Sequence, residues 1–236
     1  MAVTLAGVYQ SANAFNAATT PDTATVTTVT GDYLVIMGCS GSSTQVMSLP
    51  TGGGLTYTFS NSSGVNQANL NSVDLHYVAI MSPQTFTLSR AISPNNSTNW
   101  GFVVYRFSGV TEIGAASTGS NATASLPSVN IATGAVNSAI VMINTDYLTV
   151  LTAPVYKTAS AGTFVEQNHA ENTGLGTVFA GWYPDSGTTG LKTIGLDVPT
   201  NQQWSLVSLE LQGPPQPTPP PGQFYVPRVS FSGGFN

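Results

Sequence analysis

Charge is what this sequence has least of. Asp, Glu, Lys and Arg make up only 6% of its 236 residues, against about 25% in ordinary soluble domains, so hydroxyl and amide side chains must cover the surface. The five Lys and Arg stand singly as Arg90, Arg106, Lys157, Lys192 and Arg228, and the net charge is −5. Gripping a phosphate backbone takes several cations on one face, which excludes nucleic-acid binding. Cysteine is nearly absent. With Cys39 alone, no intrachain disulfide can form, so the chain is not a disulfide-stapled scaffold. Cys39 closes the apolar run from Val35, with no cation beside it to favour a thiolate. No window approaches about eighteen consecutive apolar residues, so no membrane insertion is expected. Met1 to Gly7 carries no basic residue ahead of an apolar stretch and does not read as a secretion leader. Helical periodicity is missing as well.

What remains is a β sequence that repeats itself. Runs rich in Val, Ile, Thr, Tyr and Phe alternate with Gly, Pro, Asn and Ser, the pattern of a sandwich or barrel. Strands are expected near residues 2–9, 25–30, 33–39, 55–59, 73–81, 85–91, 100–107, 128–133, 138–143, 163–168, 177–183, 191–197 and 204–211. The run from Trp100 to Gly109 matches that from Trp204 to Gly213, with Trp, Val and Gly in the same places. Upstream, Val26–Gly31 aligns with Val129–Gly134, and Val35–Met37 with Ile140–Met142. A period of roughly a hundred residues is a duplicated half-domain rather than a solenoid unit. Tyr33–Met37 and Phe102–Tyr105 are apolar on both faces and belong in the middle of packed sheets. The expected fold is all-β: a jelly-roll-like, two-sheet β-sandwich over residues 1–213, built of repeats at about 25–109 and 128–213, each half feeding both sheets around one core. Two separate sandwiches are the alternative.

Composition breaks once, at residues 214–222. Six prolines between Pro214 and Pro221 impose an extended polyproline rod of about 25–30 Å at about 3.1 Å per residue. Residues 223–236 follow, rich in aromatics. A stiff spacer leading to Phe224, Tyr225, Val226, Arg228, Phe231 and Phe235 reads as a docking arm whose side chains bind a partner, by strand addition or by filling pockets.

Chemistry-bearing residues are few. Asp74 and His76 share a strand face, and no Gly-x-Ser-x-Gly elbow accompanies them, so a structural hydrogen bond is the expectation. In Glu166-Gln-Asn-His-Ala-Glu171, alternation joins His169 to Glu171 and sends Glu166 to the opposite face. One His/Glu pair without a third ligand does not make a metal site. No strand sets two carboxylates beside aromatics as a glycosidase would. Gly52–Gly54 precedes a strand and reads as a flexible loop rather than a phosphate cradle. No catalytic residue, metal ligand or cofactor is assigned, and the chain is not expected to be an enzyme.

Three segments carry a resemblance: Thr30–Met37, a turn entering an apolar strand; Gly52–Thr58; and Trp100–Val110. Together they resemble a β-sandwich family of tailed-phage virion proteins and some bacterial surface proteins. Members often show an Asn-Thr-Trp-like strand where this chain has Leu55-Thr-Tyr57. The resemblance covers roughly residues 25–213 and implies a fold and a virion context, with no catalytic or ligand residue. The expectation is therefore a non-enzymatic structural protein on the exterior of a phage particle, a minor tail or tail-tip component. Its arm would hold it to other virion proteins or to copies of itself. A capsid decoration protein or head fibre is one alternative. Another is a carbohydrate-binding module for a host surface glycan, using Tyr57, Trp182 or Tyr183.

Overall fold

The computed structural model describes residues 2–11, 15, 21–41, 45–64, 72–93, 100–146, 153–158, 160–172 and 176–215. The six expected docking residues, Phe224 to Phe235, lie outside them. The first half comprises β1 (Thr4–Gln10), β2 (Asp22–Thr28), β3 (Tyr33–Ser40), β4 (Val46–Met47), β5 (Thr58–Gly64), β6 (Ser72–Ala79), β7 (Gln84–Arg90), β8 (Ile92–Ser93) and β9 (Trp100–Ser108). The second comprises β10 (Glu112–Ser125), β11 (Ser128–Thr133), β12 (Ala139–Asp146), β13 (Val155–Tyr156), β14 (Val165–Asn172), β15 (Gly176–Tyr183), β16 (Gly190–Val198) and β17 (Gln202–Gln212). One five-stranded sheet runs β1-β9-β3-β6-β5 and the other β10-β17-β12-β15-β14, the same order of roles in each half. Beside them, β2 pairs with β7, β4 with β8, and β11-β16-β13 form a small sheet.

The protein is an all-β sandwich whose layers differ from the expected pair. Each half keeps its strands in its own sheets instead of feeding both sheets of one jelly roll. The cause is the strands that are apolar on both faces, which need cover on each side. From β3, Val35 and Met37 point one way, with Val103 and Phe107 of β9, and meet Val141, Ile143, Trp182 and Leu209 of the other half. Leu34 and Ile36 point the opposite way and pack under Val26 and Leu88 of the β2–β7 pair. In the second half, Ile140, Met142 and Leu206 pack under Val129, Ile131 and Ile194 in the same manner. The result is four layers and three main cores, where one continuous core was expected. The large sheets lie face to face in the middle: the Tyr105 hydroxyl of β9 donates to Asn168 Oδ1 of β14 at 2.8 Å, and the Phe107 and Trp182 rings meet edge-on at 5.4 Å.

Two sequence expectations need correction. Residues 112–125, where no strand is expected, form β10, paired along β17. Its Ala, Gly, Ser and Thr have little strand propensity, so pairing decides; small side chains also let it lie close to its neighbours. A Cβ on Gly119 would stand 2.6 Å from Val129 Cγ1 and 3.1 Å from the Trp204 ring. The alignment of Val35–Met37 with Ile140–Met142 is one residue out. Val35 faces Tyr105 across its ladder and Val141 faces Leu209, so Val35 corresponds to Val141. A slip of one would exchange core faces.

Ladder register also equates Arg106 with Glu210, and both act as staples. Arg106 donates from Nη2 to the Ala6 carbonyl of β1 and from Nη1 to the Thr27 carbonyl of β2, each at 2.9 Å, and its Nε lies 3.3 Å from Asp32 Oδ2. Glu210 accepts from the amides of Ala115 in β10, at 3.1 Å, and Gly134 and Ala135 in the β11–β12 turn, at 2.9 and 3.2 Å. Burial alone would raise the Glu210 carboxyl, but these amides hold it below its usual value.

Candidate functional site

A cleft of about 300 Å³ opens on the first half, over the outer face of its large sheet. Strand alternation sets Asp74 and His76 on one face of β6, and Arg90 arrives at the end of β7. Across the ladder from Asp74 stands Gly38, where a Cβ would come within 2.3 Å of Arg90 Nη1. A residue without a side chain makes room for the guanidinium. Arg90 is 1% exposed and grips Asp74 with two parallel bonds, Nη1 to Oδ1 at 2.7 Å and Nη2 to Oδ2 at 2.6 Å. Its Nε and Nη2 also donate to the Ser48 carbonyl at 3.0 and 2.8 Å. Burial pushes the Asp74 carboxyl up, yet the charge and hydrogen bonds of Arg90 prevail and hold it at about 2.

His76 completes the floor of the cleft. Its Nε2 lies 3.3 Å from Asp74 Oδ2, which sets the tautomer with Nε2–H toward the carboxylate and a lone pair on Nδ1 in the neutral ring. The residue is 2% exposed, and Nδ1 has no hydrogen-bond partner among the described residues. Around the rim stand Phe59, Leu49 and Val46, exposed by 52%, 60% and 71%. The Phe59 ring meets the His76 ring edge-on at 5.3 Å.

Duplication supplies an internal comparison. In the second half, Phe179 occupies the ladder position of Asp74, opposite Asn144, and Gly181 that of His76, opposite Met142. Rings fill the place: Tyr156 lies 4.1 Å from Phe164 and 6.3 Å from Phe179 between centroids. A Cβ on Gly181 would stand 2.6 Å from the Phe164 ring. The same framework closes with apolar packing, so the fold does not require an ionic cluster there.

No family model, curated protein or solved structure matches this chain. Function must therefore be argued from the residues.

The sequence placed Asp74 and His76 together, and they are. It missed Arg90, sixteen positions from Asp74 on another strand, because nothing local marks that pairing. For His169 the expectation was half right. Glu171 lies 3.3 Å from Nε2, and Glu166, expected on the opposite face, lies 3.5 Å from Nδ1. A bulge between Glu166 and Asn168 adds one residue to β14 and turns Glu166 onto the same side. Tyr156 donates a short hydrogen bond to Glu166. Behind them, burial drives the Asp146 carboxyl up to about 7, against the Thr177 amide that accompanies it. Among the described residues no group of three or more His, Cys, Asp or Glu could hold a metal ion.

The aromatics named for sugar binding, Tyr57, Trp182 and Tyr183, are all buried, because each lies on a core face. Gly52–Gly54 is a fitted turn rather than a flexible loop: a Cβ on Gly52 would stand 2.3 Å from the Thr87 carbonyl oxygen. Burial raises the Cys39 thiol far above its usual range, leaving no thiolate for chemistry. The described basic side chains are all engaged or buried: Arg90 and Arg106 bind as described, Lys157 donates at the surface to the exposed Asp197 at 2.6 Å, and Lys192 is buried.

Proposed function

We propose that this chain is a non-enzymatic structural protein of the exterior of a tailed-phage particle, a minor tail or tail-tip component held by its C-terminal segment. A capsid decoration protein or head fibre is the alternative form of the same role. The observation that carries the reading is how the root of that segment is held. β17, from which it departs, is hydrogen-bonded along its length to β10 on one side and β12 on the other, and is buried from Ser205 to Glu210. A load applied beyond Gly213 would have to strip two ladders at once. The charge-poor surface, with its described cations buried or paired to carboxylates and carbonyls, suits an exposed protein that must not adsorb indiscriminately to nucleic acid. Truncation after Gly213 tests the reading. The shortened chain should keep its melting temperature and no longer join the particle. Incorporation at full copy number would move attachment to the sandwich, and failure to fold would make the segment part of the core.

A further inference from the structure

We propose that the cleft over Asp74 and His76 binds a neutral sugar ring, with Phe59 as its stacking wall and His76 Nδ1 as the acceptor for a ring hydroxyl. The inference goes beyond the particle reading and stands apart from it, since glycoside binding and attachment through the C-terminus are measured separately.

The cleft is a built site. Its volume of about 300 Å³ lies at the small end of ligand pockets, about 300–1,000 Å³. The second half closes the corresponding position with Phe179, Phe164 and Tyr156, so the opening is peculiar to the first. At the floor, a buried ring nitrogen is left without a partner. An unsatisfied buried acceptor is costly, and an arriving donor relieves that cost.

The floor also selects the chemistry. Every nitrogen of Arg90 is committed to Asp74 or to the Ser48 carbonyl, so no cation is left to receive an anion. Asp74 and Arg90 form a pair that is neutral as a unit, so a uronate, a phosphorylated sugar or an ammonium group would each give up its hydration without meeting an opposite charge. A hydroxyl brings a donor without a charge, and it matches the His76 lone pair and the free lone-pair capacity of Asp74. The rim supplies the other half of the match. A pyranose presents an apolar C–H face, and the half-exposed Phe59 ring gives that face a surface to cover.

The test uses the full chain, titrated by NMR with methyl β-D-glucopyranoside, methyl β-D-galactopyranoside and methyl α-D-mannopyranoside, with glucuronate as the charged counterpart. At least one neutral glycoside should saturate and shift the Phe59 and His76 ring signals. Phe59→Ala, a surface change with little bearing on folding, and His76→Phe, which keeps a ring and removes the acceptor, should each weaken binding about tenfold. Glucuronate should bind about tenfold more weakly than the neutral glucoside. The proposal is overturned if no neutral glycoside saturates, if glucuronate binds equally well, or if Phe59→Ala binds unchanged. It is equally overturned if binding emerges only after truncation beyond Gly213, which would make the cleft the seat of the chain's own C-terminal segment.

Discussion

Replacing Arg90 with Met should destabilise the protein and reverse the sign of the pH dependence that Asp74 contributes in acid. In the native protein Asp74 is held at about 2, roughly two units below an unperturbed aspartate, and each unit is worth about 1.4 kcal/mol. The folded pKa is depressed, so the contribution of about 2.5 kcal/mol is complete above the unfolded value near pH 4 and is lost as pH falls toward 2. Methionine keeps much of the buried stem of Arg90 and removes the guanidinium. Burial, the largest influence on Asp74, is then opposed only by the His76 hydrogen bond and raises the carboxyl above its unfolded value. The variant must bury an unpaired charge, or take up a proton, at neutral pH. Breaking a buried pair from one side costs about 3–5 kcal/mol. As pH falls from 7 toward 4, Asp74 protonates in the folded variant first, so the loss relative to the native protein should shrink, because native Asp74 contributes no change over that range and Asp146 titrates alike in both. Urea denaturation at half-unit pH steps from 3.5 to 8 measures both effects through the midpoint at constant m. A loss below about 1 kcal/mol at pH 7, or a loss that grows on acidification, would refute the account of Arg90 as the group that keeps Asp74 charged.

Two further outcomes follow from packing and burial. Asp146 carries a carboxyl raised to about 7, so its ionisation opposes folding as pH rises from about 4 to 7, and Asp146→Asn should stabilise the protein by up to about 4 kcal/mol at pH 8 and little at pH 4; melting temperatures at the two pH values decide it. Gly119→Ala, which would press a methyl into Val129 and the Trp204 ring, should cost about 1–3 kcal/mol and change the near-ultraviolet circular dichroism of the tryptophans.

Much of the fold lies open in the sequence wherever side-chain chemistry repeats with the strand period. β3 and β9 announce themselves through Tyr33–Met37 and Phe102–Tyr105, and the repeat of Trp100 at Trp204 exposes the duplication. The same residues carry the four-layer arrangement, since apolar side chains on both faces demand cover on both, but periodicity cannot say which layers supply it. β10 was hidden because Ala, Gly and Ser signal a loop, and only contact with β17 makes them a strand. The site divides along the same line. Asp74 and His76 follow from alternation, whereas the carboxylate's partner Arg90, the space above Gly38 and the bulge that turns Glu166 toward His169 are tertiary facts without a local signature.

The staples at Arg106 and Glu210 bear on how a duplicated chain avoids confusing its own halves. β9 and β17 share the Trp, Val and Gly pattern of the repeat, so a folding chain risks seating either one beside the wrong partner. With β17 beside β3, the carboxylate of Glu210 would face the carbonyls of Ala6 and Thr27 and the carboxylate of Asp32, the groups that Arg106 satisfies. With β9 beside β12, the guanidinium of Arg106 would meet the amides of Gly134, Ala135 and Ala115, donor against donor. Both exchanges bury like against like, while both correct seatings are satisfied. The inverted charge works as a proofreading mark, by which each half admits its own copy of this strand and rejects its twin's.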